Sequence, residues 1–212
     1  MPPRLSTGLA GLDAQLGGGV LGGSVHVLLG EPMNALELMA FHFAAAGTQS
    51  GGGSAFVTTE MEEEQVRAGV ELVGGRKDRL HVVALGKGPK KAVTIPDPSK
   101  GLRLVVDSFS TVALQVGWEE AMAQLAKLRA KIRSTGDVML ITASTGLHTE
   151  MERTLLKQWA DGVLELGFDR QGFGLYPYLK VTKMRGVADS ARFLLFKETE
   201  KGLFMESTKR VF

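Results

Sequence analysis

Residues 30–37, GEPMNALE, have the spacing of a phosphate-binding loop but lack the side chains that do its chemistry. The working pattern is G-x-x-x-x-G-K-[ST], in which backbone N–H groups wrap the phosphates, the lysine neutralises them and the hydroxyl holds Mg²⁺. Gly30 fits, but Leu36 replaces the lysine and Glu37 the hydroxyl, so an apolar group and an anion should face the phosphate position. We therefore expect no efficient ATP hydrolysis by the usual mechanism.

Two interpretations of this segment stay open. It is either a degenerate turn that joins a strand to a helix, or a nucleotide pocket that works without its lysine. In the second case the nucleotide-binding residues are Gly30, Asn34, Ala35, Leu36 and Glu37.

Three further carboxylates stand where predicted strands end. Glu60 closes the apolar run 54–60, Glu62 follows it, and Asp107 lies near the end of the run 102–108. Ligands of open α/β sheets bind beside the carboxyl ends of the strands, so these carboxylates are candidates for vestigial catalytic groups. An acidic first helical turn explains Glu60 and Glu62 equally well. Without the loop hydroxyl, Asp107 could hold Mg²⁺ only through waters, which favours a hydrogen-bonded structural role.

Lys183 and Arg185 form a second charged pair near the C-terminal part of the chain. Their spacing places both on one face of a strand. They are either a solvated strand edge or part of a subunit interface. In an interface, the guanidinium could pair with Glu37 or Glu60 of another copy, in place of a phosphate.

Residues 86–101, GKGPKKAVTIPDPSKG, predict a long flexible loop because they are rich in Gly, Pro and Lys and have no helical period. A basic loop is either simply solvated or, when several copies line a ring, able to bind RNA or DNA backbone without base specificity. The candidate nucleic-acid residues are Lys87, Lys90, Lys91, Lys100 and the nearby Arg103.

The elements that carry these residues alternate between apolar strands and helices. We predict strands at 24–29, 54–60, 80–85, 102–108, 138–142 and 163–166, and helices at 35–46 (ended by Gly47), 62–73, 118–132 and 150–160. After a turn at 169–174, only strands are predicted, at 178–183, 192–196 and 203–207. This order indicates an α/β fold: a mostly parallel central sheet with helices on both faces and a C-terminal antiparallel extension.

Five segments, taken in order, resemble the KaiC/RadA branch of the RecA-like ATPases: 4–24, 54–60, 102–108, 138–144 and 181–186. The resemblance covers roughly residues 4–206 and implies the RecA-like fold. It also implies that Glu60 stands where the family polarises the attacking water and Asp107 on the magnesium side. Lys183 and Arg185 match the residues that reach a neighbouring subunit's nucleotide.

Together, the resemblance and the altered loop predict a non-catalytic, KaiC-like pseudo-ATPase that acts as a scaffold or regulator. It would assemble head to tail, as a ring or filament, with itself or with RecA-like paralogues. The lost loop is also similar to that of the Elongator RecA-like subunits, whose hexamer binds tRNA. Two alternatives remain: an ATPase in which another cation replaces the lysine, with ATP and Mg²⁺ as cofactors, and a nucleic-acid-binding recombinase paralogue.

Composition sets the remaining limits. The length of 212 residues, with 44% hydrophobic and 23% charged residues, suits one soluble domain, 1–212. The net charge of +2 does not mark a nucleic-acid binder, and without cysteine no disulfide or thiolate site can form. The four histidines have no ligand spacing, so we predict no metal site and expect His26 and His42 to be packed or hydrogen-bonded. No signal peptide or membrane span is predicted, so we expect a cytoplasmic protein.

Overall fold

The structure is a computed structural model that describes residues 2–31, 34–85, 102–171, 174–188 and 192–205. Nothing is described for the side chains of Asn34, Gln171 and Arg192. The predicted basic loop 86–101, with Lys87, Lys90, Lys91 and Lys100, lies outside the described residues.

Helices and strands alternate through most of the described chain. The helices are α1 (Ala10–Gln15), α2 (Asn34–Gln49), α3 (Glu63–Leu72), α4 (Phe109–Val116), α5 (Trp118–Thr135) and α6 (Glu150–Trp159). The strands are β1 (Arg4–Leu5), β2 (Val20–Leu21), β3 (Ser24–Gly30), β4 (Ser54–Thr58), β5 (Leu80–Ala84), β6 (Arg103–Asp107), β7 (Val138–Ser144), β8 (Gly162–Gln171), β9 (Gly174–Met184), β10 (Arg192–Thr199) and β11 (Gly202–Met205). None of these helices has the length and apolar character needed to cross a membrane.

The central sheet has the strand order β11-β10-β9-β8-β3-β7-β6-β4-β5 among the described residues. The pairs from β8 to β5 are parallel, and β8 to β11 pair antiparallel with one another. This confirms the predicted fold class. We call the antiparallel strands β8–β11 the antiparallel extension.

Each face of the parallel strands contributes to its own apolar core. On one face, Leu28, Phe56 and Leu164 pack with α1, α2 and α3. On the other, Val27 and Ile141 pack with residues of α4, α5 and α6, including Phe109 and Leu156. Because these strands are buried on both faces, their sequences are continuous apolar runs, and that is why they could be predicted.

The predicted helix end at Gly47 and part of the predicted turn at 169–174 are wrong. Helix α2 continues through Gly47 to Gln49, and a Cβ on Gly47 would lie 2.2 Å from Ser54 Oγ. Gly47 is therefore required for close packing and does not stop the helix. The predicted turn at 169–174 also fails for Asp169, which lies in β8 and pairs with Tyr176 in β9. Polar turn-forming residues there are held in strands by the hairpin ladder.

Four short elements were not predicted: β1, β2, α1 and α4. Helix α4 begins directly after Asp107-Ser108, in the apolar segment FSTVALQV, where periodicity does not separate helix from strand. Its Phe109 and Val112 are buried against the sheet, so tertiary packing selects the helix.

Candidate functional site

Several polar side chains meet at the carboxyl ends of the parallel strands, where the sequence predicted the ligand site. The register places Gly30 of β3 beside Ser144 of β7, and Thr58 of β4 beside Asp107 of β6. Glu37 enters from the first turn of α2, and Glu60 follows β4. The fold thus brings Glu37, Glu60 and Asp107 to one edge of the sheet, and we call them the carboxyl cluster.

Asp107 is the most buried carboxylate of the cluster, with 9% of its surface exposed. Its side chain accepts a hydrogen bond from Thr142 Oγ1, and its carbonyl accepts one from the backbone of Thr59 at 2.9 Å. Burial raises the pKa of Asp107 to about 6, and the hydrogen bond from Thr142 only partly opposes that rise. The neighbouring charges of Glu60 and Glu37 raise this pKa further.

Glu37 and Glu60 are close enough to interact through their charges. Burial raises the pKa of Glu37, and the charge of Glu60 raises it further. Glu60 is exposed, and its Oε1 accepts a hydrogen bond of 2.6 Å from Thr111 Oγ1. A cluster of negative charges attracts a cationic group and repels phosphate. Each of its charges also raises the free-energy cost of ionising the others.

Glu62 has a different position. It is the N-cap residue of α3, where it forms a capping box with Gln65, whose Oε1 accepts a hydrogen bond of 2.8 Å from the Glu62 backbone. The structure therefore gives Glu62 a helix-capping role.

The altered phosphate loop is seen only from its two ends. Gly30 ends β3, and Ala35 is fully buried in α2. Leu36 is 9% exposed and belongs to the apolar core, and a Cβ on Gly30 would lie 3.4 Å from its Cδ2. The prediction that Leu36 faces the phosphate position is thus wrong, since burial of its apolar side chain turns it into the core. Asn34 begins α2.

A group of arginines lies at the opposite, amino-terminal edge of the parallel strands. Asp161, just before β8, is 8% exposed, and its Oδ2 accepts a hydrogen bond of 3.1 Å from the backbone of Val25. Its Oδ1 lies 3.2 Å from Arg133 Nη2, 3.5 Å from Arg129 Nη2 and 3.9 Å from Arg185 Nη1. Three guanidinium groups thus share one carboxylate, which leaves an excess of positive charge at this edge.

Lys183 is engaged within its own chain. Its Nζ donates hydrogen bonds to the carbonyl oxygens of Ala160 at 2.6 Å and Gln158 at 3.1 Å, at the end of α6. A cation at this position satisfies the last carbonyl groups of the helix and interacts favourably with its dipole. Arg185, whose side chain is 52% exposed, stays accessible to another molecule, and its interface role stays a prediction.

Arg103 corrects the predicted nucleic-acid surface. It lies in β6 with 1% of its surface exposed, and its guanidinium carbon is 5.3 Å from the centre of the Phe43 ring. Among the described residues, its Nε and Nη1 have no hydrogen-bond partner. Burial lowers the pKa of Arg103 to about 10. A residue in the core cannot contact a nucleic-acid backbone, so the assignment of Arg103 to that surface is wrong.

The burial of Arg103 leads to a testable prediction. Because the folded protein bears the cost of desolvating a guanidinium, Arg103→Met should raise the free energy of unfolding by about 2 kcal/mol at neutral pH. Urea denaturation of both proteins measures this difference. A destabilised Arg103→Met protein would contradict the prediction and show that the buried charge has a stabilising partner.

A serine–histidine pair near the carboxyl cluster was missed in the sequence. Ser110 Oγ is 2.8 Å from His148 Nε2 and accepts a hydrogen bond of 2.8 Å from the backbone of Ser144. The His148 ring stacks on Phe109, with centroids 5.9 Å apart. Since Ser110 is fully buried, the pair joins α4 to the end of β7 and does not present a nucleophile. No local spacing signals it, because the two residues are 38 positions apart.

The two interior histidines are packed and hydrogen-bonded, as predicted. His26 Nε2 lies 2.7 Å from Ser24 Oγ, and burial lowers the pKa of His26 to about 4. His42 Nε2 accepts a hydrogen bond of 2.9 Å from the backbone of Leu203. Within the described residues, no group of three or more His, Asp or Glu side chains is arranged to hold a metal ion.

Comparison with known proteins agrees with this fold. The chain is 25% identical to a UPF0273 protein of Methanopyrus kandleri, over 97% of this chain and 93% of that protein. It is also 25% identical to a UPF0273 protein of Aeropyrum pernix, over 100% and 96% of the two chains. The crystal structure of the KaiC-like protein PH0186 from Pyrococcus horikoshii matches 97% of this chain and 100% of its own, with a TM-score of 0.76 and 20% identity.

These similarities confirm the predicted KaiC-like, RecA-like relationship at the level of the fold. The model of a family described as a family of unknown function (DUF7125) matches residues 4–199. Because this match spans most of the chain, the protein belongs to the DUF7125 family.

Proposed function

We propose that this chain is a non-catalytic RecA-like protein that assembles head to tail, with itself or with RecA-like paralogues, and serves as a scaffold or regulator. The observation that carries the proposal is the carboxyl cluster. It occupies the edge of the sheet at which a working RecA-like protein would bind phosphates. Glu60 and Asp107 match carboxylates of the working ATPases, so the added charge of Glu37, at the position of the Mg²⁺-binding hydroxyl, is what disfavours ATP. A guanidinium from a neighbouring subunit would compensate that charge.

The opposite edge of the sheet supports the second half of the proposal. Arg129, Arg133 and Arg185 share Asp161, so the chain offers positive charge at one edge and negative charge at the other. Arg133 and Arg185 are both exposed, and Arg185 is the one that the sequence already suggested as an interface residue. When the contact joins two different surfaces of the same chain, copies associate head to tail. Such contacts close into a ring or continue as a filament.

The test is size-exclusion chromatography with light scattering, with and without Mg-ATP, combined with titration of a fluorescent ATP analogue. We expect an oligomer that forms without nucleotide and no saturable binding at millimolar ATP. Saturable ATP binding, or assembly that requires ATP, would overturn the proposal in favour of an ATPase with an atypical loop.

A charge exchange tests the interface itself. Arg185→Glu and Glu37→Arg should each dissociate the oligomer, and the double variant should reassemble because the pair is restored with its signs exchanged. Arg79→Glu, at an exposed position outside both charged groups, is the matched control. If the double variant stays monomeric while its circular dichroism is unchanged, this pairing is wrong.

A further inference from the structure

The antiparallel extension has one sheet face that no described helix covers. Leu179, Val181 and Leu194 point to the opposite face, where they join the core formed with α1 and α2. The core formed with α4, α5 and α6 ends at Val163, at the start of β8. Alternation along each strand therefore leaves the intervening residues of β9, β10 and β11 on an open face.

Aromatic and lysine side chains alternate on this open face. Phe193 lies beside Lys180, Leu195 beside Tyr178, and Phe204 beside Lys197 in the strand register. The Lys180 Nζ is 5.6 Å from the centre of the Phe193 ring, and the rings of Tyr178 and Phe193 are 5.2 Å apart. We call Tyr176, Tyr178, Lys180, Phe193, Lys197 and Phe204 the aromatic platform.

Three of the four aromatic rings of this platform are exposed, and Tyr178 is half-buried. Phe204 is 62% exposed, Phe193 53% and Tyr176 44%. Burying an aromatic side chain contributes more to the free energy of binding than burying a smaller apolar side chain. Several exposed rings on one surface therefore indicate a binding face.

A groove beside the platform has a clear structural origin. Pairing between β9 and β10 ends at Tyr178 and Leu195, and the next residue of β9 towards its start is Pro177, which has no N–H to donate. The two strands separate there and leave a groove of about 450 Å³. Tyr176, Phe168 and Leu175 line one side, and Leu195, Lys197 and Glu198 line the other. The groove therefore offers a planar ring apolar walls, with one cation and one carboxylate beside them.

The charge distribution favours an anionic ligand. Residues 174–205 carry six Lys or Arg and three Asp or Glu, an excess of three positive charges. The whole chain has an excess of only two, so the remainder of the chain is slightly negative. On the open face itself, Lys180 lies beside Phe193 and Lys197 beside Phe204, so a cation stands next to each of these two rings.

We propose that the aromatic platform binds single-stranded nucleic acid, with bases stacked on the rings and phosphates beside the lysines. Exposed aromatic side chains interleaved with cations on an open antiparallel sheet are the arrangement that binds unpaired strands without strong sequence preference. Tyr176 and Tyr178 are two residues apart in β9, which spaces their Cα atoms by about 7 Å. A duplex keeps its bases stacked inside, so it cannot use these rings.

This site differs from the predicted basic loop, and it is independent of the proposed assembly. It places the contact on the antiparallel extension, whose rings supply stacking that lysines alone cannot. Affinity should therefore depend on the aromatic residues and fall only moderately with salt, because few phosphates are contacted.

The experiment is fluorescence anisotropy of the full chain with labelled oligo(U), oligo(dT) and a duplex of the same length. We expect saturable binding of both single strands and much weaker binding of the duplex. Tyr176→Ala, Phe193→Ala and Phe204→Ala should each weaken binding roughly tenfold. Lys180→Gln should lower the salt slope by about 1. The matched control, Met151→Ala, removes a side chain that is 73% exposed on α6 and should bind as the unaltered chain does.

Three results would overturn the proposal. One is the absence of binding to either single strand. Another is unchanged binding by the three aromatic variants when replacement of Lys87, Lys90, Lys91 and Lys100 abolishes it, which would place the contact on the loop. The last is dissociation of the oligomer by the aromatic variants in light scattering with unchanged nucleic-acid affinity, which would identify the platform as a protein interface. Circular dichroism of each variant verifies that it is folded.

Discussion

Asp161→Ala is expected to lower the free energy of unfolding by about 3 kcal/mol at neutral pH. The substitution removes the acceptor of the Val25 N–H and the carboxylate that Arg129, Arg133 and Arg185 share. Arg129 is the most buried of the three arginines, with 21% of its side chain exposed. Its charge would stay partly desolvated without a counter-ion, and a donor in the sheet would be left unpaired.

Urea denaturation followed by circular dichroism measures this loss. Asp161→Asn separates the two contributions, because the amide oxygen still accepts from Val25 while the charge is gone. We expect this variant to lose less stability than the alanine variant. An Asp161→Ala protein as stable as the unaltered chain would show that the arginines reach water at no cost and that the group is only a surface feature.

Asp107→Asn is expected to have the opposite effect on stability, raising the free energy of unfolding by up to about 3 kcal/mol at pH 8. The pKa of Asp107 rises from the ordinary 3.8 to about 6 on folding, and each pKa unit corresponds to about 1.4 kcal/mol. The folded protein therefore bears the cost of ionising a buried carboxylate among like charges. Asparagine keeps an oxygen that can accept the hydrogen bond from Thr142 without that charge.

The pH dependence of Asp107→Asn follows from the direction of the shift. A raised pKa in the folded state means that the stabilising contribution of the protonated group is fully present below pH 3.8 and is lost as the pH rises through about 6. The difference between the variant and the unaltered chain should therefore be small at pH 4 and largest above pH 7. Denaturation at a series of pH values gives this profile.

Glu200→Gln, at an exposed turn, is the control that removes a carboxylate without changing burial. It measures the effect of removing one surface carboxylate in the same denaturation series. A flat profile for Asp107→Asn would contradict the raised pKa. A buried carboxylate whose ionisation is costly, at the edge of the sheet where α/β folds bind ligands, is the reason that the carboxyl cluster is the candidate site.

Much of the fold could be predicted because its signals are local. SVHVLL and LRLVVD are continuous apolar runs that are typical of strands buried on both faces, and both are such strands. The missing lysine and hydroxyl at Leu36 and Glu37 are also read directly from residue types. The order of strands and helices then restricts the topology, since parallel crossovers have one handedness.

The environment of the candidate site could not be predicted from the sequence, because it depends on contacts between residues far apart in the chain. Thr142 reaches Asp107 across 35 positions, and Thr111 reaches Glu60 across 51. Nothing near Asp107 in the sequence indicates that its pKa is raised. That shift arises from burial and from the charges of two other elements.

The direction in which a charged side chain points could likewise not be predicted from the local sequence pattern. Arg103 and Lys183 each sit in or beside a strand among other cations, which suggested exposed roles. Folding buries Arg103 against Phe43 and directs Lys183 to the carbonyl groups that end α6. The residue types and their order determine which strands and helices form. The burial of a side chain and its electrostatic partners are decided only by how those elements pack, because they depend on atoms that come together only in the folded chain.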